Sequence, residues 1–436
     1  MSQLDRRQFV GRALGTLGGV GLGALGGVSL ERSGVAEAQP DQETIERQAN
    51  YDALHSVVPF DGLHQAGIVN EAPAQATFAA LDAIAPSRLT LQEALQALSL
   101  RARELCHGGA YPTRTTDEAA FDSGVLGPVN DPDNLTVTIA FGSSLFDGRY
   151  GLAKGLPHGL KPMRPFSIDD LDESQCGGDV LLQICSGQRD TAAHTLRELL
   201  RSVNGNLQLR WTMDGFKGAK RGPTPRSTPR NLFAFRDGTA NPDPSDEALM
   251  KRLVWVPESS GATNGGARNA ATAWTAGGSF QVVRLIAMHI EFWDRVGLAE
   301  QQRMIGRYRD SGAPLGGTSE FEDPDLASDP HGKRIPLNAH MRLANPRTET
   351  SFDQRILRRP YNYQRGFSSA GQLDQGLIFV AFNQDIARQF ETVQKRLLEE
   401  PMIDYITPFG GGYYFAPPGS RHSGDWVGSG LFAATA

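Results

Sequence analysis

Cysteine is scarce in this chain. Cys106, Cys176 and Cys185 are the three among 436 residues. An odd number without metal-ligand spacing excludes a disulfide framework and a thiolate zinc site, although one pair could still oxidise outside the cell. A basic block is also missing. Lys and Arg total 43 against 49 Asp and Glu, for a net charge of −6, so there is no electrostatic case for nucleic acid. Nor is there a long, strongly apolar run. The nearest, Ala13 to Leu30, is diluted by glycine and is too weakly apolar for a good transmembrane anchor, which stands as the alternative reading of this stretch.

What the N-terminus does have is an address. Arg6-Arg7 precede the weak apolar run, and Ala36-Glu37-Ala38 follows as a small-x-small cleavage site. Residues 1–38 read as a bacterial signal of the twin-arginine (Tat) type, which implies a periplasmic or secreted protein without a stable membrane span after processing. The remaining length suggests two domains, placed at 39–225 and 226–436, with a Pro, Gly and basic segment from Asp214 to Arg230 as the linker.

Periodicity supports a duplicated plan. Gly178 to Cys185 is an apolar strand, Asp190 a candidate N-cap, Ala193, Leu196, Leu199 and Leu200 a helix face, and Leu207 to Met213 a returning strand. Gly376 to Phe382, Asp385, the Phe390/Val393/Leu397 face and Gly412 to Ala416 repeat that order. Earlier elements are a strand over Gln65 to Val69, a mostly helical Ala74 to Arg103 and a strand over Leu135 to Phe141. Their counterparts are a strand over Phe280 to Ile290 and a helix over Ala299 to Arg309. The expected class is α+β: two ferredoxin-like β-α-β-β-α-β domains, each an antiparallel sheet with helices on one face. Pro257 to Gly278 and the acidic Glu320 to His331 read as surface loops.

Three residues carry candidate chemistry. Asp237 follows the apolar Phe233-Ala234-Phe235 and precedes a Gly-Thr-Ala-Asn-Pro turn. It is either a carboxylate aimed from the rim of a packed element or merely a turn organiser. His340 stands among apolar residues and Arg358 in a basic pair with Arg359; each alone has an ordinary structural reading.

Taken together, Phe235-Arg236-Asp237-Gly238-Thr239-Ala240-Asn241-Pro242, Ala339-His340-Met341-Arg342-Leu343-Ala344-Asn345-Pro346-Arg347 and Ile356-Leu357-Arg358-Arg359 resemble the dye-decolourising peroxidases. The similarity is greatest to their exported EfeB-like branch. Gly371 to Leu377, Gly410 to Phe415 and His64 to Ile68 extend the resemblance over the whole mature chain. It implies haem b in the C-terminal domain, one per chain, with His340 as the iron ligand. A histidine ligand needs an acceptor on its other ring nitrogen. The family uses an acidic side chain there, and Asp404 is the match, with an ordinary surface carboxylate as its alternative.

The resemblance also implies that Asp237 and Arg358 form a distal pair acting on hydrogen peroxide. A ferryl intermediate would then oxidise a dye-like, phenolic or other reducing substrate. Gly238, Thr239, Ala240, Arg307, Asn345, Pro346 and Arg347 would contact the haem, Arg307 and Arg347 through its propionates. Tyr361, Tyr363, Tyr413, Tyr414 and Trp293 are core aromatics or electron carriers. Alternatives within this reading are release of iron from haem with the porphyrin intact, alongside iron-uptake partner proteins, and a non-catalytic haem carrier. A homodimer is a candidate assembly. Two departures stand out: Ala234 and Pro360 occupy positions where the family pattern has glycine. Alanine at 234 is harmless in ordinary backbone and strained if φ is positive.

Overall fold

The structure, a computed structural model, describes residues 42–436 apart from 113, 116, 223, 225, 259–269 and 369. The export signal and the centre of the Pro257 to Gly278 loop lie outside the described residues. No described helix is long and apolar enough to cross a membrane.

Two β-α-β-β-α-β repeats follow one another. The first comprises β1 (Gln75–Ala83), α1 (Arg88–His107), β2 (Thr136–Gly142), β3 (Val180–Ser186), α2 (Arg189–Ser202) and β4 (Leu207–Phe216). The second comprises β5 (Ser279–Met288), α3 (Leu298–Ile305), α4 (His340–Ala344), β6 (Tyr361–Phe367), β7 (Leu373–Asn383), α5 (Thr392–Leu397) and β8 (Ile406–Ala416). Pairing runs β5-β8-β2-β3-β1-β4-β6-β7 and then to a two-residue strand, Leu357–Arg358. Because β7 also pairs with β5, the order closes on itself. Within each repeat the order is ferredoxin-like, as expected from the sequence. The repeats join at narrow seams, Tyr414↔Gly142 with Phe415↔Phe141 and Phe216↔Asn362.

Strand alternation separates two cores. Ala79, Leu81, Ile139 and Leu182 pack with Leu91, Leu95 and Leu199 of the helices. Their neighbours Phe78, Ala80 and Leu181 turn to the other face, where Val283, Tyr361 and Tyr414 also lie. Trp293 and the four tyrosines considered above are all buried, so each has a packing role.

Several sequence expectations need correction. Gln75 to Ala83 is a strand, not helix: its alanines favour helix intrinsically, but burial on both faces between β3 and β4 overrides that preference. The helix starts at Arg88 behind a Ser87–Thr90 capping box. Gln65 to Val69 forms no strand, since Gly67 sits at φ +90°. The Gln65 side chain instead supplies the pairing, accepting from Ile139 N at 2.8 Å and donating to Ile139 O and Pro417 O at 2.9 Å each. Asp190 lies within the first turn of α2, whose N-cap is Gln188. Asp385 stands one residue before the N-cap of its segment, Ile386, and its side chain accepts from Arg388 N at 2.8 Å. β5 ends at Met288 and α3 at Ile305, where Gly306 turns left-handed at φ +88°. The Glu320 to His331 segment is not simply a surface loop, because Glu320 and Asp329 are buried.

Candidate active site

The Asp237 loop begins as a tight hairpin. Asn231 N donates to Phe235 O, and Ala234 N to Asn231 O, at 3.0 Å each. Phe233 and Phe235 are buried, and Phe233 stacks on Trp293 with centroids 4.4 Å apart. Between the two anchored rings Ala234 is forced to φ +68°. Its methyl is exposed, so the strain is in the backbone, at about 1–2 kcal/mol for a non-glycine residue. Ala234→Gly should therefore raise stability by about 0.5–1 kcal/mol after glycine's own entropy is counted. Urea unfolding checks this: the midpoint should rise with the slope unchanged. Beyond Asp237, Gly238 takes φ +107°, a conformation that glycine adopts without strain.

Arg358 arrives from the other side. Its short strand pairs with β7 through Ala381, and Arg359 N donates to Val380 O at 2.9 Å. The side chain of Asn241 fastens this strand to the Asp237 loop. Asn241 Nδ2 donates to Arg358 O at 2.9 Å, and Arg358 N donates to Asn241 Oδ1 at 2.8 Å. One amide thus reproduces a strand pairing. Asp237 Oδ1 lies 2.9 Å from Arg358 Nη1. That is an ion pair by distance, yet the two groups are not aligned for a hydrogen bond and Oδ1 has no other partner, so its lone pairs stay available. Arg359 turns away and donates to the backbone carbonyls of Asn70 and Glu71. Asn241→Ala removes both clamp bonds and should cost about 1–3 kcal/mol, measurable by thermal unfolding.

His340 opens α4 after the fully buried Ala339. Its Nδ1 lies 2.6 Å from Glu400 Oε2. With Glu400 ionised, Nδ1 carries the proton and donates, leaving the Nε2 lone pair free. Burial pushes the imidazole pKa down, but the charge and hydrogen bond of Glu400 outweigh this, so the net shift is upward. Arg358 lowers and Asp237 raises the same pKa, which places both within electrostatic reach of His340. The Glu400 side chain is 2% exposed and stands at the N-cap of the turn Pro401–Tyr405. Asp404, the expected acceptor, lies within that turn, four residues after Glu400, and is exposed to solvent. The helical turn carries its side chain outward, and the cap position supplies the carboxylate.

Two family models match this chain: the N-terminal part of the Dyp-type peroxidases over residues 65–217 and the C-terminal part over 228–421. A deferrochelatase of Escherichia coli strain K12 is 44% identical over 399 residues, covering 91% of this chain and 92% of the relative. The chain belongs to the Dyp-type peroxidases. Among solved structures, ferric DtpA from Streptomyces lividans is similar with a TM-score of 0.76, at 33% identity over 88% of this chain and 99% of that one. A DyP-type peroxidase from Cellulomonas bogoriensis gives 0.74, at 33% identity over 87% and 99%. Family membership makes the protein a haem-dependent oxidoreductase.

The residues fit such a group. The His340 side chain keeps 28% exposure, while its partner Glu400 keeps 2%. A cavity of about 450 Å³ is lined by Thr239, Ala240, Arg307, Asn345 and Arg347, together with Glu320 and Arg355. Five of the expected haem contacts therefore share one wall system, whereas Gly238, Pro346, Asp237, His340 and Arg358 are not part of that lining. Arg307 Nη1 donates to Gly312 O at 2.8 Å and Glu320 O at 3.0 Å. Burial, helped by the nearby Arg347 charge, pushes the Arg307 pKa down to about 10. Arg347 sits at φ +58° and is paired with Asp323 at 2.5 Å. An anionic cofactor edge would face two cations in this cavity.

Sequence reasoning missed Glu400 and Asn241. Glu400 had a signal, an acidic residue directly before the helix-starting Pro401. Asn241 lay inside a quoted motif, but nothing local says that its amide binds a strand 117 positions later.

Proposed function

We propose that the chain reduces hydrogen peroxide with Asp237 as the acid–base group, Arg358 as the adjacent cation and His340, oriented by Glu400, as the residue that would hold the haem iron. The observation that carries this reading is the presence of two polar pairs, Asp237 with Arg358 and His340 with Glu400, within reach of each other's charge. Haem, when bound, supplies the iron at which the peroxide O–O bond is cleaved and the oxidising capacity is held. The side chains handle protons and charge. Asp237 takes the proton of the incoming peroxide and returns it to the departing oxygen, which a carboxylate with an open lone pair can do directly or through one water. Arg358 stabilises negative charge developing on that oxygen. Glu400 keeps His340 in the tautomer that presents Nε2.

Iron release from haem is a second reading, favoured by the 44% identity to a protein named deferrochelatase. A pure carrier has no use for a distal acid–base pair. Export through the twin-arginine leader to the periplasm or beyond belongs to the same proposal, as do iron-uptake partners. The test measures peroxide-driven turnover of a bulky dye beside iron release from haem under reducing conditions, in wild type and Asp237→Asn. Dye turnover that depends on Asp237 supports the peroxidase reading; iron release that exceeds it and ignores Asp237 supports the other.

A further inference from the structure

A buried carboxylate outside the family motifs holds the Asp237 loop from behind. Glu320, 7% exposed, comes from the acidic segment after α3. Its Oε1 accepts from Thr228 N at 3.1 Å, from Thr228 Oγ1 at 2.5 Å and from Thr239 Oγ1 at 3.2 Å. Its Oε2 lies 3.8 Å from Arg236 Nε, and its main-chain carbonyl accepts from Arg307 Nη1 at 3.0 Å. Thr228, Arg236 and Thr239 bracket Asp237 in the chain, while Arg307 and Thr239 line the cavity. Thr228 O in turn accepts from Arg236 Nη1 at 2.6 Å. Arg236 Nε has no hydrogen-bond partner, so Glu320 is the carboxylate facing this buried cation. The packing leaves no slack. A Cβ on Gly312 would come within 2.7 Å of Arg236 Cγ and 3.1 Å of Glu320 Cγ.

We infer that Glu320 is a positioning residue: it clamps both ends of the Asp237 loop and thereby sets where the Asp237 carboxylate points. A buried acceptor bonded to three donors on two strands of one loop restricts that loop more than any single turn bond. The inference rests on the proposed role of Asp237, and the same experiment tests both. Cyanide is the probe, because hydrogen cyanide, like peroxide, must lose its proton to bind ferric iron and so reports the distal base without turnover. Haem-loaded wild type, Glu320→Ala, Glu320→Gln, Thr228→Val and Asp237→Asn are compared in cyanide binding rate across pH and in ferric electron paramagnetic resonance.

Glu320→Ala should slow cyanide binding about 10–100-fold and change the ferric spectrum, since displacing an acid–base group by about an ångström has this scale of effect. Glu320→Gln keeps an acceptor oxygen for the threonines and should restore most of the rate. Thr228→Val, which leaves the buried charge in place, should slow binding in the same direction and reads the clamp if Glu320→Ala does not fold. Slow Asp237→Asn beside wild-type rates in Glu320→Ala or Thr228→Val would overturn the inference alone. Glu320→Gln as slow as Glu320→Ala would overturn the hydrogen-bond clamp as the agent. A wild-type rate in Asp237→Asn would overturn the distal reading itself.

Discussion

A His340→Ala variant should lose its haem. Among the residues that line the cavity, Arg307, Arg347 and Arg355 are cations and Asn241 and Asn345 present amides, so none offers a replacement imidazole nitrogen. The variant's haem content, read from the absorbance of its extracted cofactor, should fall far below one per chain. Apo-protein titrated with haem should show an affinity loss larger than that of the partner variant Glu400→Gln, for which about 10–100-fold is the expected scale. The two effects have different origins. Removing the imidazole would remove the nitrogen proposed to bind iron. Replacing the carboxylate at 400 would leave that nitrogen but weaken the acceptor that fixes the Nδ1 proton, so the ring could turn and would donate less strongly to iron. Glu400→Gln should therefore keep a haem spectrum with shifted ferric features and a raised reduction potential. Normal haem binding by a folded His340→Ala protein would eliminate the ligand assignment. Identical behaviour of wild type and Glu400→Gln would reduce the 2.6 Å contact to a packing detail.

The contrast between His340 and Glu400 shows where sequence reading stops. His340, Asp237 and Arg358 sit in compact motifs, so the residue types and their neighbours announced them. Glu400 is joined to His340 only by the fold, across 60 positions. By sequence Asp404 matches the family's acidic residue because it stands just before the Gly-rich strand. Which carboxylate turned inward was decided by the phase of a single helical turn, which composition does not encode. β1 failed for a related reason: an Ala-rich segment is helical by its own preference, and only pairing with β3 and β4 makes it a strand. In the second repeat β5, β7 and β8 were legible because they are rich in β-branched or aromatic residues, whereas β6, Tyr361–Phe367, interrupted by Gln364, Arg365 and Gly366, does not read as a strand. Ala234 was legible as a departure from pattern, but its cost was not. Only the backbone angle turned a missing glycine into a strained alanine.

Asp237→Asn should slow the reaction with peroxide by about 10²–10⁴-fold, the range supplied by a positioned acid–base group. The substitution keeps the volume and one acceptor oxygen while removing the basic carboxylate, so haem binding should stay close to normal. Arg358→Leu should slow the same step by about 10²–10³-fold, the scale of losing one fixed charge stabiliser. Stopped-flow absorbance after mixing with peroxide, without a reducing substrate, reads this step apart from donor oxidation. The double variant is the sharper measurement. If Arg358 acts only by holding Asp237, the losses will not add, because the second removal finds the carboxylate already gone. If the guanidinium stabilises the departing oxygen in its own right, the double variant will be slower than either single one by most of the remaining factor. The geometry favours the second outcome. Arg358 Nη1 stands 2.9 Å from Asp237 Oδ1 without hydrogen-bond alignment, and the strand carrying Arg358 is fastened through Asn241 rather than through the ion pair. The backbone that carries Arg358 is thus held independently of Asp237, so removing the carboxylate leaves the guanidinium's anchor in place. Additive losses would support that division of labour; rates unchanged in both single variants would remove Asp237 and Arg358 from the chemistry altogether.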